Sequence, residues 1–193
     1  MRRILRLLAC GAVVLSLVAC IPTGRAVGDT QDSMPSIAHD STHKTDITVG
    51  FVGSTDTAAD KKAIDALADD TLNVYYASLD TSGDSETADK IAATAQQGVT
   101  DFVDRAVKIV IISGIDVTDA NRDSWNQALT NAREAGIPVA LLNPKHAPED
   151  ELLYAAILDT DDAASAKSVS IADAVITIAR DEPHDRTIAV ATE

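Results

Sequence analysis

Cysteine, aromatic residues and positive charge are all scarce in this sequence of 193 residues. The two cysteines, Cys10 and Cys20, lie at the N-terminus, so the rest of the chain has no thiol for a disulfide, a zinc site or a nucleophile. Asp and Glu outnumber Lys and Arg by 30 to 16, and the resulting formal net charge of -14 repels phosphate backbones. We therefore expect no nucleic acid among the partners.

Motifs for catalysis are missing as well. The sequence contains neither G-x-G-x-x-G nor G-x-x-x-x-G-K-[ST], so it lacks the glycines that cradle phosphate groups. The four histidines are scattered and show no metal-ligand spacing. We therefore predict no catalytic residue, no metal and no cofactor. A nucleotide-dependent enzyme stays open only as an alternative, because the Gly-Phe-Val-Gly run at 50–53 follows a predicted strand.

The chain opens with the pattern of an export signal. Arginines at positions 2, 3 and 6 precede an apolar run over 7–18, which is too short to span a bilayer but fits a signal peptide. The run ends in Leu-Val-Ala-Cys at Cys20, which resembles the lipobox of bacterial lipoproteins. We predict a signal peptide over 1–19 and an acylated Cys20, with palmitate among the acyl chains, that anchors the protein to the cell membrane on its extracytoplasmic side. The alternative is a secretory signal with an incidental cysteine.

In residues 20–45 the apolar residues show neither helical nor strand-like spacing. This stretch contains Pro22, Gly24, Gly28 and Pro35 among Ser, Thr, Asp and His. This composition predicts a flexible tether, which as a random coil would reach roughly 25 to 30 Å.

Beyond the tether, short aliphatic runs alternate with helical periodicity, and 46% of the whole chain is hydrophobic. The pattern predicts strands over 47–52, 72–79, 108–113, 138–142, 153–158 and 187–191. It predicts helices over 60–67, 85–105, 119–135 and 162–179, with Asp119 capping the third and Gly136 ending it. Strands that alternate with helices indicate an α/β fold with a parallel sheet covered on both faces.

Ligands of such sheets bind at the carboxyl ends of the strands. The turns there cover 54–57, 80–84, 114–116, 143–145 and 159–162, and all are rich in hydroxyl, amide or carboxylate groups. This composition suits a small polar ligand with many hydroxyls. The alternative is that the turns are polar because they face water.

Two motifs carry a resemblance to a known family. The first is Val-Lys-Ile-Val-Ile-Ile-Ser-Gly-Ile-Asp, ending at Asp116, followed by Ala-Leu at 128–129 and Ala-Gly-Ile-Pro-Val at 135–139. The second is Leu-Asp-Thr-Asp-Asp at 158–162 with Ser165, although Asp162 and Ser165 depart from the family's Asp-Asn-x-x-Gly turn. The sequence resembles the type I periplasmic sugar-binding proteins of ABC transporters.

The resemblance implies a set of ligand-binding residues. Thr55, Asp56 and Asp116 would bind sugar hydroxyls, Asn143 would lie near the crossing between two lobes, and Asp161 would lie near the cleft on the opposite lobe. Carboxylates suit this role because one carboxylate accepts several hydroxyl donors. As alternatives, Asp56 caps the first helix, Asp116 closes a turn and Asp161 caps the helix after it.

The resemblance also implies a domain division, with a nearly complete first α/β lobe over 46–143 and a partial second lobe over 144–193. An unfinished sheet leaves an unpaired edge, so we expect a fragment or a truncated descendant that associates or is poorly stable. One departure from the family is that 54–62 contain no aromatic residue to stack on a sugar ring.

The function implied is the carbohydrate-binding component of an ABC importer, with a transporter permease as its partner. The alternative is a truncated inactive or accessory surface lipoprotein that binds another protein.

Overall fold

The computed structural model describes residues 24–30, 43–79, 88–165 and 167–192. The strands in these residues form one seven-stranded sheet in the order β2-β1-β3-β4-β5-β7-β6, and all pairs are parallel. The strands are β1 (Thr48–Val52), β2 (Asn73–Ala77), β3 (Ile109–Ser113), β4 (Val139–Leu142), β5 (Ala156–Asp159), β6 (Val169–Ser170) and β7 (Thr187–Ala191). The helices are α1 (Thr57–Asp69), α2 (Ala88–Asp104), α3 (Arg122–Glu134) and α4 (Ile171–Ala179). The predicted parallel α/β fold is confirmed.

Helices cover both faces of the sheet. Apolar residues of α1 and α4 pack into one buried cluster, whereas those of α2 and α3 pack into a second cluster on the other face. Every residue of the interior strand β3 is buried, as expected for a strand that packs against helices on both faces of the sheet. Because all strand pairs are parallel, the carboxyl ends of the strands form one rim. We call the other end of the sheet, where the strands begin, the amino edge.

The six strands predicted from apolar runs are all present. The strand over 187–191 has the predicted bounds, the other five differ by one to three residues at one or both ends, and β6 is an additional strand. The helix predicted over 162–179 begins only at Ile171, where the Ser170 side chain accepts a hydrogen bond from the Asp173 amide at 3.0 Å. The alternative in which Asp161 caps this helix is therefore wrong. Asp119 does not cap α3 either, because the helix begins at Arg122 and Asp119 forms an ion pair with that residue at 2.6 Å.

The lobe boundary predicted after Asn143 falls between two paired strands. β4 ends just before this position, and β5 follows it and pairs directly with β4. β5 also pairs with β7, so the described strands on both sides of position 143 share one sheet. The division into two lobes stays a prediction.

Part of the predicted tether is folded. Ala26, Asp29 and Thr30 are buried, and residues 24–30 contact the amino edge of the sheet. These residues belong to the domain, because Ala26 is buried, Gly28 packs against Pro138 and Ile178, and Asp29 pairs with the distant Arg186. The prediction of a free tether over 20–45 is therefore wrong for 24–30.

The signal sequence and Cys20 lie outside the described residues, and so does the predicted turn at 80–84. In the part of the chain that the structure describes, no helix is both long enough and apolar enough to cross a membrane.

Candidate functional site

In the described part of the chain, two openings lie beside the ends of β1, β3 and β4. The larger is a cleft of about 620 Å³ beside α1, and its polar lining residues include Asp56, Lys62, Ser113, Asn143 and Thr160. We call it the rim cleft. Both hydrogen-bond donors and acceptors face this opening, as binding of a guest with several hydroxyls requires.

The smaller opening is a cavity of about 120 Å³ between α2 and α3. Its polar lining residues include Thr55, Asp116, Trp125 and Lys145, above a floor of aliphatic side chains. We call it the Trp125 cavity. The two openings share Ser113 at the end of β3, so they lie on opposite faces of the same rim.

The turn after β1 is held by a buried carboxylate. Asp60 is only 1% exposed, and its two oxygens accept hydrogen bonds from the Ser54 amide at 2.6 Å and the Ser54 hydroxyl at 3.0 Å. The Ser54 hydroxyl oxygen in turn accepts from the Asp56 amide at 3.0 Å. Asp60 therefore fixes the backbone that carries the predicted binding residues Thr55 and Asp56.

Asp56 sits at the N-cap of α1. Its side chain accepts a hydrogen bond from the Ala59 amide at 3.0 Å, which satisfies one of the free amides at the helix start. The capping alternative for Asp56 is confirmed. Because Asp56 also lines the rim cleft, the cap does not remove it from the candidate site.

Asp116 pairs with a histidine. The distance between its Oδ1 and Nδ1 of His146 is 2.7 Å, and the two residues also form an isolated parallel β-bridge. The Asn121 side chain holds the same loop, since it donates to the Asp116 carbonyl at 3.1 Å and accepts from the Thr118 amide at 2.7 Å. Asp116 thus closes its turn, as the structural alternative expects, and also lines the Trp125 cavity.

Asn143 joins the ends of β4 and β5. Its Nδ2 donates to Oγ1 of Thr160 at 2.7 Å, and its Oδ1 accepts from the Thr160 amide at 3.0 Å. Asn143 has a positive φ of 45°, a conformation that asparagine tolerates better than most residues. The pair forms one wall of the rim cleft.

The five predicted binding residues do not converge on one opening. Thr55 and Asp116 line the Trp125 cavity, whereas Asp56 and Asn143 line the rim cleft. Asp161 is exposed in the turn after β5, where its amide donates to Asp159 at 2.8 Å, and it is not among the described lining residues of either opening.

Sequence reasoning missed two residues of the rim. Asp60 and Lys62 look like solvent-facing positions of an amphipathic helix, although Asp60 is buried and Lys62 lines the rim cleft. The apolar spacing in the third helix predicts that Trp125 points inward, and this is confirmed. It is 2% exposed and lines the smaller cavity, and its indole nitrogen has no hydrogen-bond partner among the described residues. Its position in the α3 pattern signals burial, but the cavity beside it depends on the packing of α2.

No protein-family model and no curated protein matches this chain. Among solved structures, the chain is similar to a galactofuranose-binding protein, with 22% identity and a TM-score of 0.46 over 63% of this chain and 38% of that one. It is also similar to a protein from Mycobacterium smegmatis in complex with β-D-fucofuranose, with 18% identity and a TM-score of 0.47 over 64% of this chain and 42% of that one.

A third similar structure is the periplasmic binding protein component of the arabinose ABC transporter from Shewanella sp. ANA-3, bound to α- and β-L-arabinofuranose. Its identity is 19% and its TM-score 0.42, over 62% of this chain and 37% of that one. The chain thus spans about two fifths of the length of each of these three proteins.

Proposed function

We propose that this chain is an extracytoplasmic solute-binding lipoprotein, anchored through Cys20, that binds a sugar or a related polyol at the rim. In this role it would be the carbohydrate-binding component of an ABC importer and deliver its guest to a transporter permease. The guest would be bound and released without chemical change.

The observation that carries the proposal is the polar lining of the rim cleft. Asp56, Asn143 and Thr160 come from the ends of three different strands and supply acceptors and donors to one opening. Lys62 and Asp56 both line the cleft, so its lining carries one positive and one negative side chain. These charges offset each other, which suits an uncharged guest better than an ion. Parallel α/β sheets bind their ligands at this side.

The sequence supports the proposal from two directions. The motifs over 107–143 and 158–162 resemble those of the type I sugar-binding proteins, and both end in turns that lie at the rim. The apolar run and Cys20 have the pattern of a lipoprotein signal, which fits an extracytoplasmic receptor.

One observation favours the accessory-protein alternative. The edge strand β2 leaves Tyr75 39% exposed and Tyr76 42% exposed, and an edge strand with apolar side chains can accept a partner strand. A partner protein would then bind β2 and leave the rim free. Substitution of Tyr75 by Ser would weaken such an interaction without changing sugar binding, because Tyr75 contacts Arg105 and is not among the residues that line the rim cleft.

Isothermal titration of the full chain against a panel of pentoses, hexoses and polyols tests the proposal. Two neighbouring lysines of α1 supply matched variants, because Lys62 lines the rim cleft whereas Lys61 forms an ion pair with Asp65 on the surface. We expect Lys62→Ala to weaken binding by about tenfold, the size of one charge-assisted hydrogen bond, and Lys61→Ala to leave it unchanged. The absence of heat with every compound would refute sugar binding.

A further inference from the structure

Residues 24–30, which we call the docked segment, are fixed to the amino edge by close packing at Gly28. A Cβ atom at this position would lie 2.7 Å from Cβ of Pro138 and 3.2 Å from Cγ2 of Ile178. Gly28 also has a φ of 77°, a conformation that residues with a side chain rarely adopt. Glycine is therefore required at this position both for its backbone conformation and because there is no room for a side chain. Pro138 precedes β4 and Ile178 lies in the last turn of α4, which places the contact at the amino edge.

Polar contacts hold the same segment. Asp29 accepts from Nη1 of Arg186 at 2.7 Å, and both side chains are mostly buried. Thr30 donates its hydroxyl hydrogen to Asp181 at 2.5 Å, and Nε2 of His184 lies 2.7 Å from the Gly28 carbonyl oxygen. All three partners lie between α4 and β7, again at the amino edge.

The docked segment lies very close in sequence to the predicted lipid anchor. Four residue steps separate Cys20 from Gly24, and even a fully extended chain covers only about 14 Å in that number. A free tether from Cys20 to the start of β1 would instead reach roughly 25 to 30 Å and would let the domain turn in any direction. Docking therefore removes most of the freedom that the tether would otherwise give.

We propose that the docked segment is a clamp that seats the amino edge of the domain on the membrane surface and points the rim away from it. This inference rests on the proposed lipid anchor at Cys20. A strand of five residues adds roughly 17 Å between the two sides of the sheet, so the rim and its openings would face the aqueous phase. The clamp thereby fixes which face of the domain meets lipid and which meets a soluble guest.

Two glycines of the segment provide a matched pair of variants. Gly24 and Gly28 both have a positive φ, of 78° and 77°, so alanine carries a similar backbone cost at either position. An added Cβ at Gly24 meets no atom within 4 Å, whereas at Gly28 it collides with Pro138. Gly28→Ala should therefore release the segment, and Gly24→Ala should leave it docked.

The experiment uses full-length protein processed in a bacterial host and reconstituted in vesicles that carry a nitroxide-labelled headgroup lipid. Acylated Cys20 leaves no other thiol in the mature chain, so a fluorophore can be attached at Lys108→Cys on the amino edge or at Ala58→Cys at the rim. Both positions are exposed. The fluorescence of the single tryptophan, Trp125, checks that every variant is folded.

We expect the membrane nitroxide to reduce fluorescence at the Lys108→Cys label and to leave the Ala58→Cys label unaffected. The difference should persist in Gly24→Ala and disappear in Gly28→Ala. Equal quenching of both labels in a chain whose mass shows the acyl chains would overturn the clamp and leave the lipoprotein proposal intact. An N-terminal peptide without acyl mass would overturn the anchor, and the clamp with it.

Discussion

Replacement of Asp60 by alanine tests whether one buried carboxylate organises the first turn of the rim. Asp60 accepts two hydrogen bonds from Ser54, and the backbone amide of Ser54 would lose its partner in the variant. A hydrogen bond to a charged group contributes about 1.5–3 kcal/mol, and a buried unsatisfied amide costs about 1–3 kcal/mol. Because these effects overlap, we expect Asp60→Ala to lower the free energy of unfolding by about 2–4 kcal/mol.

Urea denaturation followed by Trp125 fluorescence measures this loss, because Trp125 is the only tryptophan and is buried in the core. Asp65→Ala is the matched control on the same helix, since Asp65 is exposed and forms only a surface ion pair with Lys61. Such pairs contribute about 0.3–0.5 kcal/mol. In a thermal scan, Asp60→Ala should lower Tm by about 4 °C or more, given the usual shift for a chain of this length.

The result has a functional consequence, because Thr55 and Asp56 follow directly after Ser54. If Asp60 positions this turn, Asp60→Ala should also weaken binding of a guest at the rim, measured under conditions in which the variant stays folded. A loss of stability no larger than that of Asp65→Ala would show that Asp60 does not organise the turn.

Two further substitutions test the packing of the sheet and the wall of the rim cleft. Gly50→Ala should destabilise the fold by about 1–3 kcal/mol in urea denaturation, because the new Cβ would lie 2.5 Å from Cγ of Phe102; unchanged stability would contradict this packing. Thr160→Val removes the acceptor for the Asn143 side chain and should cost about 0.5–1.5 kcal/mol and weaken guest binding in titration, whereas Thr160→Ser should preserve both. Equal behaviour of the Val and Ser variants would show that this hydrogen bond contributes nothing.

Most of the strands were predictable because they contain short runs of apolar residues bounded by polar turns. The run over 108–113, for example, corresponds to β3. Because β3 is buried on both faces, its residues are almost all apolar and do not alternate with polar residues. Asp56 was likewise predictable as a helix cap, because capping depends on residues only three positions apart. These features are local, and local sequence determines them.

The docked segment was not predictable, because it depends on contacts with residues far away in the sequence, and the burial of Asp60 was not predictable for a different reason. Asp29 pairs with Arg186, which is 157 positions away, so no local pattern in 20–45 indicates that this stretch is folded. Asp60 has a nearby partner in Ser54, but a carboxylate in the first turn of an amphipathic helix is usually exposed, so the sequence gives no sign that this one is buried. Helix α4 begins late because Ser170 caps it, and the polar residues before it give no sharp boundary.

The most direct test of the account is a titration of the isotopically labelled full chain with sugars, followed residue by residue through amide chemical shifts. We predict saturable shifts at the rim, centred on Asp56, Ser113, Asn143 and Thr160, and no shifts in the docked segment at the amino edge. Shifts confined to the amino edge, or none with any sugar, would contradict it.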